Sequence, residues 1–378
     1  MDMHHRTTCG LTLVALFTLN APLSTALGQS YNLLALGPLP GFVYSYPGGI
    51  NDSGQVVGQM GLPNTDYHAF LYNGGVMTDL GTIGGVLSIA RGINNSGQIV
   101  GSSYTADGIE HAFLYSGGVM ADLGTLGGST SDASGINNNG QVVGYAQRAD
   151  GEYHAFLYNS GTMRDLGSLP GGVSSDASGI NNSGQIVGNS YSAGGTDRAF
   201  LYSGGVMSDL GTLGGNYSDA TAINDNGEVV GFSSVGSLTY HAFLYSNGSM
   251  KDLGTLGGTV SVANAINDRD QIVGGSLTAD GPEHAFLYSG GRMVDLNTLI
   301  QGEPGWYLRG ALGINENGQI VAYGIGPSDQ GSTFLLTPTP EPATWSLLAL
   351  GSGVLLLRKF GRKALYVRGS PPGLPAKR

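Results

Sequence analysis

Five histidines fall at matching places along this chain of 378 residues: His68, His111, His154, His241 and His284. Six aspartates do the same: Asp79, Asp122, Asp165, Asp209, Asp252 and Asp295, each just before a leucine. Imidazole and carboxylate are metal ligands and proton-transfer groups, so both sets invite a chemical reading. The spacing argues against it. Ligands must converge within about 2 Å of one ion, and equivalent positions on successive repeats diverge. A catalytic site needs unlike partners, whereas these are copies. The histidines are therefore expected to bond a neighbouring strand or repeat through their ring nitrogens. The aspartates are expected to accept backbone N–H bonds at turns. No Ser-His-Asp order, H-E-x-x-H, phosphate loop or isolated carboxylate pair is present. The sequence thus assigns no catalytic, cofactor-binding or metal-ligating residue.

These residues sit in a repeated unit. Aligned on Ile-Asn, the copies begin at Ile50, Ile93, Ile136, Ile180, Ile223, Ile266 and Ile314, at intervals of 43, 43, 44, 43, 43 and 48. Such a period suits a four-stranded supersecondary unit. In one copy the strands read "QIVGSSY" (98–104), "HAFLYS" (111–116), "VMADLG" (119–124) and "SDASGIN" (131–137). Asn and Gly between them supply the turns. The Ser, Ala and Gly of the last strand suit the crowded innermost position, and "VMADLG" then lies outermost. The repeat region opens on an outer-type strand, "YNLLALG" (31–37), and ends on residues 333–337 as a strand of the "HAFLYS" kind. The predicted fold is all-β: a seven-bladed β-propeller over 29–337, its last blade completed by the N-terminal strand. That closure is expected to remove edge strands. An open β-solenoid is the alternative.

This order places the first hairpin turns and the long Gly-rich links on one face. It carries Asp66, Asp107, Glu110, Asp150, Glu152, Asp197, Asp280 and Glu283, with Asp132, Asp176 and Asp219 added by the links. Hard cations take oxygen ligands, so weak Ca²⁺ binding is conceivable there; otherwise no cofactor is expected. Symmetry breaks at "IQGEPGWYLRG" (300–310), inside the long interval. Trp306 and Tyr307 could stack on a sugar ring with Glu303 or Arg309 as a polar partner, a candidate ligand face. The plainer reading is that Trp306 plugs the closing blade.

Between residues 30 and 340 there are eight basic and 25 acidic side chains, a balance of −17. So acidic a body disfavours nucleic acid, whose binders replace phosphate counterions with Lys and Arg. The single cysteine, Cys9, lies in a segment that reads as a signal peptide (1–28): Arg6, then an apolar run, then Ala26 and Gly28 before a cleavage point. The mature chain then has no disulfide.

At the other end a Pro-rich hinge (338–342) precedes a short apolar span (343–357) and a basic tail (358–378). The triplet Pro340-Glu341-Pro342, the span and the cations from Arg358 and Lys359 onward resemble the PEP-CTERM sorting signal of Gram-negative bacteria. The fifteen residues after the cationic cluster depart from that pattern. The repeat wording, "HAFLYSGGVM" and "DLGTLGG", resembles the HAF repeat of bacterial extracellular proteins. The first resemblance implies an exosortase-like processing partner, transient anchoring in the inner membrane and display at the cell surface or release. The second implies an exported repeat protein and transfers no reaction. The expectation is a monomeric structural or adhesive module of the envelope or of an exopolysaccharide matrix. The alternative is an extracellular glycan hydrolase or lyase on a propeller.

Overall fold

A computed structural model describes residues 29–340, except 64–65, 237–238, 302–304 and 327–330. One repeat explains the rest. Strands Gly127–Ile136, Val142–Arg148, Tyr153–Asn159 and Thr162–Asp165 form an antiparallel sheet in sequence order. The tight turn before the last strand uses Ser160 and Gly161 at φ 51° and 85°, positive values that match the twist of a two-residue hairpin. Gly144 is forced by crowding, because a Cβ there would lie 2.0 Å from the carbonyl oxygen of Asp132 on the inner strand.

Residues 44–79, 88–122 and 172–209 form sheets of the same consecutive kind, and residues 218–252 and 257–295 form two such four-stranded sets joined into one eight-stranded sheet by parallel pairing of Tyr240 with Val260. The remaining sheet joins the two ends. Tyr307–Ile314, Ile320–Ile325 and Gly331–Pro338 supply three strands, and Tyr31–Leu36 pairs antiparallel with Gly331–Pro338, Ala35 opposite Phe334. The long interval adds a 3-10 turn, Leu296–Thr298, and the two-residue strand Ile300–Gln301, which pairs in parallel with Tyr31 and Asn32. The fold is thus all-β and propeller-like. "SDASGIN"-type strands lie innermost and "VMAD"-type strands outermost, as expected from residue size.

Closure does not remove every edge, which corrects the expectation. Each consecutive sheet keeps an outer strand such as Val119–Asp122 with one side unpaired. These strands are only four residues long, and short edge strands limit edge-to-edge association.

The core lies between sheets. Val100, Ala112 and Leu123 of one sheet pack on Ala133, Val142, Ala146 and Phe156 of the next. Leu36, Val321 and Leu335 pack on Val56, Met60 and Phe70 in the same way, so the last sheet is packed on the first. A buried serine ties neighbours together. Ser131 Oγ accepts from Ala112 N–H at 2.9 Å and donates to Gly124 C=O at 2.6 Å; Ser45 does the same between Thr333 and Leu36.

Among the described residues no helix is long and apolar enough to cross a membrane. The predicted signal segment, the apolar span 343–357 and the sorting residues Glu341, Pro342, Arg358 and Lys359 lie outside the described residues.

Candidate functional site

At the lower end of the axis, each inner strand finishes on a buried asparagine. Asn51 Nδ2 donates to Asn94 C=O at 3.0 Å, Asn94 to Asn137, and so on to Asn315, which donates back to Asn51 C=O at 2.9 Å. Each side-chain oxygen caps its own turn: Asn137 Oδ1 accepts from Asn139 and Gln141 N–H. A second circuit runs one residue on, where Asp52 N–H donates to Asn95 Oδ1 and Glu316 N–H to Asp52 Oδ1. These circuits frame a cavity of 200 Å³. The asparagine side-chain oxygens of both circuits take N–H donors from their own turn or from the neighbouring unit, so this end reads as structure. Sequence reading treated these asparagines as turn formers and missed their bonds to the next unit.

The recurrent histidines and aspartates pair within each sheet. Nδ1 lies 2.6–2.8 Å from the carboxylate in His68–Asp79, His111–Asp122, His154–Asp165, His241–Asp252 and His284–Asp295. The same carboxylates accept a turn N–H two residues on, as Asp122 does from Gly124 at 2.8 Å. Both expectations, a bond to a neighbouring strand and a capped turn, describe this geometry. Among the described residues no three His, Cys, Asp or Glu side chains gather to hold a metal ion.

Trp306 stands edge-on to Phe334, ring centres 4.9 Å apart, and packs against the core of the closing sheet. Tyr307 donates its hydroxyl to Glu283 C=O at 3.0 Å and packs edge-on against His284. Glu303 is outside the described residues. These contacts place Trp306 and Tyr307 in the packing of the closing sheet.

The upper end of the axis differs from unit to unit. Here a residue near the start of each inner strand faces one on the adjoining strand: Asp132 opposite Tyr145, Asp176 opposite Asn189, Asp219 opposite Phe232. The other units hold Tyr46 with Gln59, Ile89 with Ser102, Val262 with Gly275 and Gly310 with Tyr323. The first two of these pairs border an axial cavity of 430 Å³ that contains Arg91, with only Ser102 of the four outside its wall. Asp176, Tyr145 and Tyr191 line a second cavity, of 390 Å³.

The three aspartates have unlike surroundings. Asp132, its side chain 2% exposed, takes a two-pronged ion pair from Arg91: Nε to Oδ1 at 2.8 Å and Nη2 to Oδ2 at 2.6 Å. Asp176 accepts from Tyr191 Oη at 3.0 Å. Burial still pushes it up to about 6, against the opposing pull of Tyr191 and the Asn189 N–H. Asp219 accepts from Asn189 Nδ2 at 3.2 Å and from Tyr217 Oη at 3.4 Å. Burial, followed by the charge of Asp176, pushes it up to about 7. Burial and the facing carboxylates raise the Tyr191 and Tyr217 hydroxyls as well. Among the described residues neither Asp176 nor Asp219 forms an ion pair. Asn189 is 1% exposed, and its Oδ1 has no hydrogen-bond donor. Sequence reading counted these aspartates among a solvated acidic face and overlooked the tyrosines and Asn189.

No family model and no curated protein matches the chain. Solved structures do. The β-propeller domain of the Trilobed protease from Pyrococcus furiosus aligns with a TM-score of 0.51 at 10% identity, over 80% of this chain and 94% of that one. That domain has an open velcro topology, whereas here Tyr31–Leu36 pairs with the C-terminal strand. TolB from Acinetobacter baumannii aligns with a TM-score of 0.44 at 11% identity, over 76% of this chain; the match spans 64% of TolB. At such identities the likeness concerns the fold alone.

Proposed function

We propose that this chain is a seven-bladed, closed β-propeller that serves as an exported binding module of the cell envelope or an exopolysaccharide matrix. On this reading the blades are the six consecutive four-stranded sets and the closing sheet, and the hydrogen-bonded asparagines and shared closing sheet make the ring rigid. The observation that carries the binding role is the contrast between the two ends of the axis. Most of each repeat is copied from unit to unit and spent on packing. Variation gathers at the upper mouth, where acceptor oxygens and tyrosine rings face a cavity. A rigid scaffold with one variable concave site is the usual arrangement for recognition. Weak contacts there would be multiplied when several copies meet one polymer.

The address rests on residues 1–28 and 338–363. Their resemblance to a signal peptide and to a PEP-CTERM signal supports export, transient anchoring in a Gram-negative inner membrane, and an exosortase-like partner acting near Pro340-Glu341-Pro342. The test has two parts. The full chain, expressed in a host with an exosortase, should reach the surface or medium and shorten near residue 340; Glu341→Ala should block the shortening. Retention of the chain on immobilised acidic, neutral and amine-bearing polysaccharides should single out one class. Retention by none of them removes the binding role.

A second reading, a glycan hydrolase or lyase, is favoured by one observation. Asp132 is ion-paired while Asp219 is held near neutrality, and such a split is how carboxylates divide acid and base roles. Release of new sugar ends from a retained polysaccharide, abolished by Asp219→Asn, would establish it. Retention without release would dismiss it.

A further inference from the structure

Two of the three aspartates at the upper mouth have no ion-pair partner among the described residues. Three successive units carry an aspartate at one register position: Asp132, Asp176 and Asp219. Arg91 satisfies Asp132 alone. Between Asp176 and Asp219 sits Asn189, with its backbone beside the first carboxylate and its Nδ2 on the second. Its own Oδ1, buried and without a donor, adds a third acceptor. A buried acceptor without a donor is destabilising, and two facing carboxylates without a counter-ion add mutual repulsion. A protein keeps such a cluster at a stability cost where a ligand completes it.

We propose that Asp176, Asp219 and the Asn189 carbonyl receive the primary ammonium group of an amino sugar within a polysaccharide. This rests on the matrix-binding reading and names its ligand class. An ammonium brings three N–H donors and one positive charge, which matches three acceptors and the missing counter-charge. Tyr191 and Tyr217 flank the carboxylates through their hydroxyls. Tyr217 also packs with Phe232 and Tyr240 at ring-centre distances of 5.6 and 5.7 Å. Aromatic faces favour an organic cation. A hard divalent ion wants six to eight oxygen ligands, and no three acidic or imidazole groups converge here. The 390 Å³ cavity lined by Asp176 and Tyr191 falls within the roughly 300–1,000 Å³ range of small-molecule sites. Its wall holds Thr130, Ser174 and Ser175 with Tyr145 and Tyr153. Hydroxyls and aromatic rings suit the alternating polar edge and apolar face of a sugar better than the aliphatic stem of a lysine.

The test is calorimetric titration of the full chain near neutral pH with a glucosamine tetramer, its fully N-acetylated form, a lysine tetrapeptide and calcium chloride. The amine tetramer should bind at least roughly tenfold more tightly than the acetylated one. Asp176→Asn and Asp219→Asn, near-isosteric changes that keep hydrogen bonding, should each weaken it by a similar factor. Asp107→Asn, at an exposed turn, should leave it unchanged. Equal affinity for both tetramers, or full affinity in both site variants, overturns the assignment. Tighter binding of the lysine peptide or of calcium overturns it in favour of that ligand. Retention on a neutral or acidic polysaccharide without amine preference would defeat this inference and leave the matrix-binding reading standing. Retention on no polysaccharide would defeat both.

Discussion

Asn315 donates its side-chain N–H to the carbonyl of Asn51 across 2.9 Å of space and 264 residues of chain. The bond is the seventh of one kind, and it makes a linear series of repeats into a circuit. Asn315 lies 4% exposed and Asn51 3%, so water replaces neither partner.

Removing any member of that circuit should therefore be costly. Asn137→Ala deletes the donor to Asn181 and the acceptor for two turn N–H groups. Each stranded buried group costs about 1–3 kcal/mol, so a loss of about 3 kcal/mol is expected in denaturant unfolding. Asn315→Ala should cost as much, because its unit is bound into the ring like the others. A much smaller loss at Asn315 would mean that the ends are weakly joined.

The histidines should matter far less. In His111–Asp122 the side chains are 20% and 41% exposed, and exposed pairs contribute about 0–1 kcal/mol. A double-mutant cycle on His111→Ala and Asp122→Ala should return a coupling below about 1 kcal/mol. Zinc or nickel should not raise the melting temperature of the parent. A metal-dependent rise abolished by His111→Ala would return these residues to chemistry.

Stability should fall as the solution is made less acidic. Asp176 and Asp219 are held at about 6 and about 7 in the fold, above an ordinary value of 3.8. The folded state thus binds protons that the unfolded chain releases. Their favourable contribution is complete below about pH 4 and lost as pH rises through 6 and 7. Other groups add slopes of their own, so the comparison is between variants. Asp176→Asn and Asp219→Asn should each gain stability over the parent at pH 8 and lose that advantage at pH 4. Unchanged differences between the two pH values would contradict the burial assigned to these carboxylates.

Much of this architecture was legible from residue order. Small residues in "SDASGIN" marked the inner strand, and the outer-type strand "YNLLALG" at the start foretold the pairing of Tyr31–Leu36 with Gly331–Pro338. Boundaries moved by a residue or two: "VMADLG" ends as a strand at Asp122, because its carboxylate caps the next turn. The asparagine circuit was not legible, since a turn-forming Asn looks alike whether or not its amide reaches another unit. The upper site escaped for a different reason. Its residues lie on different strands of successive units and meet only when those sheets pack side by side. One signal was present. Within nearly copied repeats, the residue after the inner-strand serine and the residue after "VVG" or "IVG" both vary: Tyr46, Ile89, Asp132, Asp176, Asp219 and Val262 on one side, and Gln59, Ser102, Tyr145, Asn189, Phe232 and Gly275 on the other. These face one another in the structure. In a repeat protein, departures that coincide in space mark the place where the copies must differ.

The central claim is that a closed ring presents one variable, glycan-binding mouth. Its most direct test is the melting temperature of the full chain with acidic, neutral and amine-bearing polysaccharides, in the parent and in an Asp176→Asn, Asp219→Asn double variant. A ligand that binds only the folded state raises the melting temperature, by the equivalent of about 2.7 kcal/mol at a hundredfold excess over its dissociation constant. The account predicts a rise in the parent with one polysaccharide class and none in the double variant. No rise with any of them, or an equal rise in both proteins, would contradict it.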